Sequence, residues 1–289
     1  MSDQAHWAHQ RLLLKVRAGS RSHGLDNASS DEDSRGVCLP LPRYLYGLSH
    51  FEQWESAGGD HVIYSLVKFV RLALDGNPNI IETFYVEPED RLYVHPLMQP
   101  LLDARHRFLS RNVGAKFGRY AIGQLQKIER HHRWMTQEPP AKPTPTQYGA
   151  SNGENSPKFP DTASEKAYRA AAKHHRDYQE WRRNRNPKRA ELEARHGYDT
   201  KHAMHLCRLL KMGVEILQEG EVLVRRPDAA WLRSIREGAL SYRELLGWVA
   251  QAEAELAQAE RSTALPERPD LEWAETQVVQ ITEEYLRGA

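Results

Sequence analysis

GSRSHGLDNASSDEDSRGV, residues 19–37, sits between two short apolar runs, and its reading decides what the rest of the chain is for. Leu12 to Val16 has the aliphatic and β-branched content of a buried strand. It runs directly into Gly19-Ser20, where the backbone can turn tightly and approach a ligand closely. A strand followed by such a turn presents backbone N–H groups and a hydroxyl to phosphate. Further on, Asp31 and Asp33 are spaced i, i+2 ahead of Gly36-Val37-Cys38-Leu39. On one strand that spacing points both carboxylates to the same face. Mg²⁺ takes one or two carboxylates plus substrate phosphates, so a phosphate turn beside an Asp-x-Asp pair is what nucleotidyl transfer requires. Taken alone, the same residues also read as a polar loop whose Asp and Ser side chains cap turns.

The wider stretch shifts the balance towards a site, because GSRSHGLDNASSDEDSRGV resembles the nucleotide site of the DNA polymerase β superfamily nucleotidyltransferases. Within that superfamily it is most similar to a bacterial and phage group associated with RNA-repair pathways. The resemblance continues at Asn186-Pro187, through YDTKHAMHLCRLL at 198–210, and on to RRPD at 225–228 and IREG at 235–238. It spans most of the chain outside residues 139–163. It implies transfer of a nucleoside monophosphate from an NTP to an acceptor hydroxyl, with pyrophosphate released. It also implies an RNA acceptor, a 3′ end in a repair pathway. Gly19, Ser20, Arg21 and Ser22 would then hold the nucleotide phosphates. Asp31 and Asp33 would hold two Mg²⁺ ions, with Mn²⁺ able to substitute. Enzymes of this superfamily use a third carboxylate, from a neighbouring strand, beside the acceptor hydroxyl. The candidates are Asp60, which opens a strand after a Gly-Gly turn, and Glu82, which interrupts an apolar run; Asp60 is preferred, as the third metal ligand holding the acceptor-side Mg²⁺ together with Asp31 and Asp33, and a buried structural pairing of Glu82 stays open.

Composition bounds what surrounds this site. A chain of 289 residues can bury a substantial core, and 40% hydrophobic with 27% charged residues is the balance of a globular protein. Lys and Arg number 40 against 39 Asp and Glu, so net charge gives no argument for nucleic acid, and any such argument rests on where the charges sit. Cys38 and Cys207 are the only cysteines and lie far apart, which excludes a disulfide framework and a cysteine zinc site. No apolar run reaches the length of a signal sequence or membrane span, and the expected location is cytoplasmic.

Residues 1–10 read as a short helix or tail, and Leu39 to Gly59 as an irregular excursion over the site. Asp60 to Tyr64 reads as a strand, with Ser65 capping an amphipathic helix over Leu66 to Leu74. Ile80 to Val86 is rich in β-formers and reads as a further strand. Helical spacing covers His95 to Leu109 and Val113 to Trp134. Residues 139–163 hold six of the 16 prolines with almost no aliphatics, the composition of a mobile loop that leaves the fold and returns.

Arg169 to Arg189 carries eight Lys and Arg against two acidic residues, interleaved with Tyr178 and Trp181. Basic side chains among aromatics suit a nucleic-acid backbone with base stacking, and Arg182, Arg183 and Arg185 are the candidate acceptor contacts. A solvated helix face with Trp181 packed inward is the competing reading. Asn186-Pro187 reads as a cap with Pro at the first helical position, in a helix that Gly197 ends, and Asp199 caps the next. There Lys201, His205 and Arg208 fall at i, i+4 and i+7 and share a face suited to a triphosphate. Three cations near a helix N-terminus oppose its dipole, which favours an anion there. His202 and His205 lack a third soft ligand for a metal. Asp228, the Ser241/Glu244 box and Asp270 are read as caps of the last three helices.

The expected fold is therefore α+β: a nucleotidyltransferase core with a small mixed sheet over 1–135, a flexible Pro/Ser/Gly-rich loop over 136–165, and a helical C-terminal domain over 166–289 closing the nucleotide cleft. Two other functions stay open. The same chemistry can act on a protein or small molecule, against which the basic stretch argues, and a non-catalytic nucleic-acid-binding descendant is conceivable, against which Asp31, Asp33 and the Gly-Ser turn argue.

Overall fold

The computed structural model describes residues 3–28, 30–151 and 156–288. Ser29, within the 19–37 stretch, and residues 152–155, within the proline-rich segment, lie outside them. The elements run α1 (Asp3–Gln10), β1 (Leu12–Ala18), α2 (Gly19–Ser22), β2 (Asp33–Cys38), α3 (Pro42–Leu45), β3 (Gln53–Glu55), β4 (His61–Ser65), α4 (Leu66–Leu74), α5 (Pro78–Tyr85), β5 (Arg91–Val94) and α6 (Gln99–Asp103). Helices α7 (Arg111–Thr136), α8 (Thr162–Asn184), α9 (Pro187–His196), α10 (Thr200–Glu219), α11 (Ala229–Arg236), α12 (Tyr242–Ser262) and α13 (Leu271–Gly288) complete the chain. A small sheet followed by helices is the α+β class expected.

The chain divides into two compact units, one formed by 1–124 with 204–289 and the other by 125–203. The first contains the sheet, in strand order β3-β4-β2-β1-β5. It is mixed: β2 and β4 run parallel, Ser34 opposite His61, and the remaining pairs are antiparallel. On β2 the pleat sends Val37 to one face and Cys38 to the other. Leu14 and Val16, opposite Val37 and Arg35, bury completely on the first face. There Phe69 of α4 meets Phe84 of α5 at 4.8 Å between ring centroids, and Phe84 stacks on Phe108 at 4.9 Å. On the opposite face Cys38 and Ile63 pack with Trp7, Ala8 and Phe51. Trp7 lies 4.6 Å from the Phe51 ring and 5.3 Å from Tyr44. The segment 39–59 thus contributes a strand and most of the aromatic rings packed on the Cys38 face, with more order than an irregular excursion.

Three sequence expectations are corrected. Residues 80–86 do not form a strand: α5 starts with Pro78 at its first position, and the Asn77 side chain accepts from the Asn79 amide at 3.1 Å. Ile80, Ile81 and Phe84 are fully buried, so packing of a helical stripe overrides the β-propensity of the run. The fifth strand is instead Arg91–Val94, against β1. Residues 95–109 are no continuous helix, because Pro96 and Pro100 break the stretch into 3₁₀ turns and the short α6. Asp228 precedes α11 but makes no capping bond; its carboxylate takes Arg226 Nε at 2.9 Å and Lys211 Nζ at 2.8 Å.

Other local signals hold. Ser65 accepts from the Lys68 amide at 3.2 Å, Asn186 from Arg189 at 3.3 Å and Asp270 from Trp273 at 3.1 Å, and the Ser241/Glu244 box is complete. Among the described residues no helix is long and apolar enough to cross a membrane.

The second unit is the end of α7, the helices α8 and α9 and the first residues of α10. Its core joins rings, Trp134 with Tyr178 at 5.8 Å and with Trp181 at 5.3 Å, to buried acids. Glu193 receives Arg185 Nε at 2.8 Å and faces His131 Nδ1 at 3.2 Å; Asp199 receives Arg189 at 3.1 Å and the His202 amide at 3.0 Å. The proline-rich segment also finds partners here. Pro145–Tyr148 forms a capped 3₁₀ turn, Ser151 pairs with Lys158, and Tyr148 and Phe159 both pack on Tyr168 of α8.

Candidate active site

Strand β1 ends at Ala18 in extended backbone, and the chain turns at Gly19 with φ +68° into the single turn of α2. That conformation costs a residue bearing Cβ about 1–2 kcal/mol. Space imposes a second demand. A Cβ on Gly19 would lie 2.0 Å from Oδ2 of Asp33, an overlap no side chain tolerates. The sheet explains the encounter, since Ala18 and Asp33 are partners in the β1/β2 register, so the residue after Ala18 folds across the first residue of β2. Gly19→Ala is accordingly expected to push the Asp33 carboxylate aside and lower any activity of this site by about 100-fold, as misplacement of a reacting group by about 1 Å does. Steady-state rates beside a thermal melt check it, because activity should fall far more than stability.

The hydroxyls of the turn differ. Ser22 is buried and donates to the Gly19 carbonyl at 3.0 Å, so it braces the turn from inside. Ser20 is half-buried, and its carbonyl accepts from the Leu25 amide at 2.8 Å. Arg21 reaches across the loop and donates from Nη2 to the Ser30 carbonyl at 3.2 Å, which fastens the residue before Asp31 to the glycine turn.

Asp31 is exposed and lies ahead of β2, which begins at Asp33. The expectation that both carboxylates share one strand face is corrected here: only Asp33 is on the strand. Asp60 precedes β4 at the level of Asp33, its carbonyl accepting from the Ser34 amide at 2.9 Å and from Arg35 Nη1 at 3.1 Å. Arg35, two residues after Asp33, thereby ties the ends of β2 and β4 together. Glu82 lies on α5, buried, with His23 Nε2 3.3 Å from its Oε2 and Arg208 on its Oε1. Burial alone would raise its pKa, but the Arg208 and His23 charges and their hydrogen bonds outweigh that and hold it down to about 2. Of the two third-carboxylate candidates, Glu82 makes the structural pairing and Asp60 stands at the strand ends.

Among the described residues no three His, Cys, Asp or Glu side chains gather into an all-protein metal cage. Mg²⁺ does not need one, since it completes its octahedron with water and substrate oxygens around one or two carboxylates. The donor set of Asp31 and Asp33, hard oxygens beside a glycine turn, fits it.

Of the three cations expected on one face of α10, Lys201 and His205 are half-buried, whereas Arg208 is buried and its guanidinium meets Glu82. His202 accepts from Arg189 through Nε2, which removes that nitrogen from any His-x-x-His metal pair. Burial lowers the His202 pKa to about 4, Asp199 opposing and Arg189 adding to the shift.

Residues with no assigned role in the sequence reading support the turn from behind. His23 is buried, its Nδ1 3.0 Å from the Val224 carbonyl, while its own carbonyl accepts from the Arg226 amide at 3.1 Å. Arg226 grips Glu215 through both terminal nitrogens, at 2.5 and 2.7 Å, and Arg233 donates to the Gly24 carbonyl at 2.5 Å. Buried Asp90 draws in Arg17 at 2.8 Å and Arg225 at 2.9 Å. RRPD at 225–228 is visible as a motif; its packing onto the residue after Ser22 is not, since no periodicity links positions some two hundred residues apart.

Arg182 and Arg183 are exposed on α8, but Arg185 is not their equal. It is half-buried, bound to Glu193, with its guanidinium 4.8 Å over the Trp181 ring. Arg169, Lys173 and Arg189 are also paired, with Glu165, Asp177 and Asp199. Among the described residues Arg176, Arg182, Arg183 and Lys188 make no close ion pair and are exposed. Half of the positive excess seen in the sequence is thus neutralised within the unit.

Comparison with curated proteins and with solved structures finds no match. A family profile does match, over residues 2–279 and so nearly the whole chain. With a glycine turn closed on an aspartate at the head of a mixed sheet and that profile spanning both units, this chain belongs to the RNA repair pathway DNA polymerase beta family.

Proposed function

We propose that the protein is a metal-dependent nucleotidyltransferase that moves a nucleoside monophosphate from an NTP to a hydroxyl at an RNA 3′ end. The observation that supports this reading most is the close approach of the Gly19 turn to the Asp33 carboxylate, a phosphate-turn type of backbone beside a hard oxygen ligand. The acceptor oxygen bonds to the α-phosphorus as the bond to the β-phosphate bridging oxygen breaks, and pyrophosphate leaves. Gly19 and Ser20 bind the β- and γ-phosphates, with Arg21 holding the loop and Ser22 bracing the turn. Asp31 and Asp33 would hold Mg²⁺, two ions with Mn²⁺ as a substitute, which when bound supplies charge for the phosphate oxygens. Asp60, at the neighbouring strand end, orients the acceptor hydroxyl and receives its proton. Incubation of the protein and Mg²⁺ with α-labelled NTP and single-stranded RNA tests the reading by transfer of label to RNA.

The RNA side makes its own prediction. Neutralising Arg182, Arg183 and Lys188 together should weaken RNA binding and reduce the salt slope by roughly 0.7 for each single-strand phosphate that the protein no longer neutralises. Arg185 is left intact, since its removal would strand buried Glu193. NTP affinity should not change. Affinity across a salt series decides, and parallel lines of equal affinity would mean that these cations are a solvated face.

A further inference from the structure

The second unit contains a cleft of about 650 Å³ between the end of α7, the last turns of α8 and α9. Trp134, Tyr178 and Trp181 supply its aromatic wall, with Arg182, Arg185 and Glu193 among the polar lining. We propose that this cleft binds one nucleobase of the RNA acceptor, stacked on Trp181, with the adjoining phosphate on Arg182. The inference rests on the RNA-acceptor reading above and adds a place and a mode of recognition to it.

The wall is rigid for reasons on each ring. Trp134 is buried, and its indole N–H donates to His174 Nε2 at 3.0 Å, so its polar edge is satisfied inside the unit. Tyr178 is buried too, edge-on to Trp134. Trp181 differs in being half-exposed. Its plane is set by Trp134 at 5.3 Å and by Arg185, whose guanidinium stands 4.8 Å over the ring and is fixed in turn by Glu193. The part of this preoriented indole that Arg185 and the neighbouring rings leave uncovered lines a cleft of nucleotide size and can act as a stacking platform, and stacking needs no particular base because every base has a π-face.

Charge selects the occupant. An apolar protein segment would suit the rings, yet the cleft is lined by Arg182, which is exposed and makes no ion pair among the described residues. Glu193, the acid in the lining, is already engaged by Arg185 and His131 and adds no net negative field. Aromatic faces beside an unpaired cation match a base with its phosphate.

The test uses the full chain, a fluorescent single-stranded RNA of about a dozen nucleotides, and a set of the same oligonucleotide with one abasic position moved along it. One stacked base is worth about 5- to 150-fold in affinity. Trp181→Leu should weaken binding within that range while NTP binding stays unchanged. One abasic position should weaken wild type equally and add nothing to the Trp181→Leu defect. Wild type binding RNA with Trp181→Leu and all abasic oligonucleotides equal to it would overturn the cleft assignment and leave the RNA acceptor standing. No RNA binding by wild type would overturn both. Competition by free mononucleotides as effective as the oligonucleotide would mean a free-nucleotide site and overturn the strand assignment. Should Trp181→Leu fail to fold, the abasic series on wild type decides alone.

Discussion

Asp33→Asn is expected to lower nucleotidyl transfer by about 1,000-fold or more, and Asp31→Asn by a similar factor, because in the mechanism proposed above each change removes a carboxylate that would hold Mg²⁺, and with it several kcal/mol of charge stabilisation at a tenfold change per roughly 1.36 kcal/mol. Neither change should disturb the fold. Asp31 is exposed ahead of the strand, and at position 33 Asn has the size and shape of Asp, so the fit against Gly19 is kept. The check is single-turnover transfer at saturating Mg²⁺ beside a melting curve. Turnover within a few-fold of wild type in either variant would remove that carboxylate from the chemistry.

The second large effect concerns stability. Glu82→Gln should destabilise the first unit by about 3–5 kcal/mol, since it leaves Arg208 as an uncompensated buried charge. Glu82→Leu with Arg208→Met should recover most of the loss, because well-packed apolar residues replace a buried ion pair at little cost. The pair also sets an acid limit. The Glu82 pKa is depressed from 4.5 to about 2, so its stabilisation is complete above pH 4.5 and is lost as pH falls through 2. That shift corresponds to about 3 kcal/mol. Urea midpoints measured between about pH 7 and pH 2 should fall more steeply below 4.5 for wild type than for the Leu/Met variant. Parallel curves would refute the assignment.

The glycine turn and the helix caps at Ser65, Asn186, Ser241 and Asp270 are local, set by chemistry within a few residues, and they are legible in the sequence, whereas the spacing of Asp31 and Asp33 does not reveal that β2 starts only at Asp33. Ile80 to Val86 reads falsely as a strand because isoleucine and phenylalanine suit a strand by propensity, and only burial of 80, 81 and 84 together selects the helix. Arg208 shows the same limit from the side of charge. Its spacing from Lys201 and His205 is plain, but no local rule reveals that its partner is Glu82, across more than a hundred residues. The basic stretch is countable from the sequence yet overstated there as a field, because Glu165, Asp177, Glu193 and Asp199 neutralise half of it.

Incubation of the full chain with each of the four α-labelled NTPs, Mg²⁺ and, separately, RNA, DNA and protein acceptors tests the central claim most directly. The expected result is label on RNA with stoichiometric pyrophosphate, absent from Asp33→Asn under the same conditions. Label on protein alone, or transfer to RNA that survives Asp33→Asn, would contradict it.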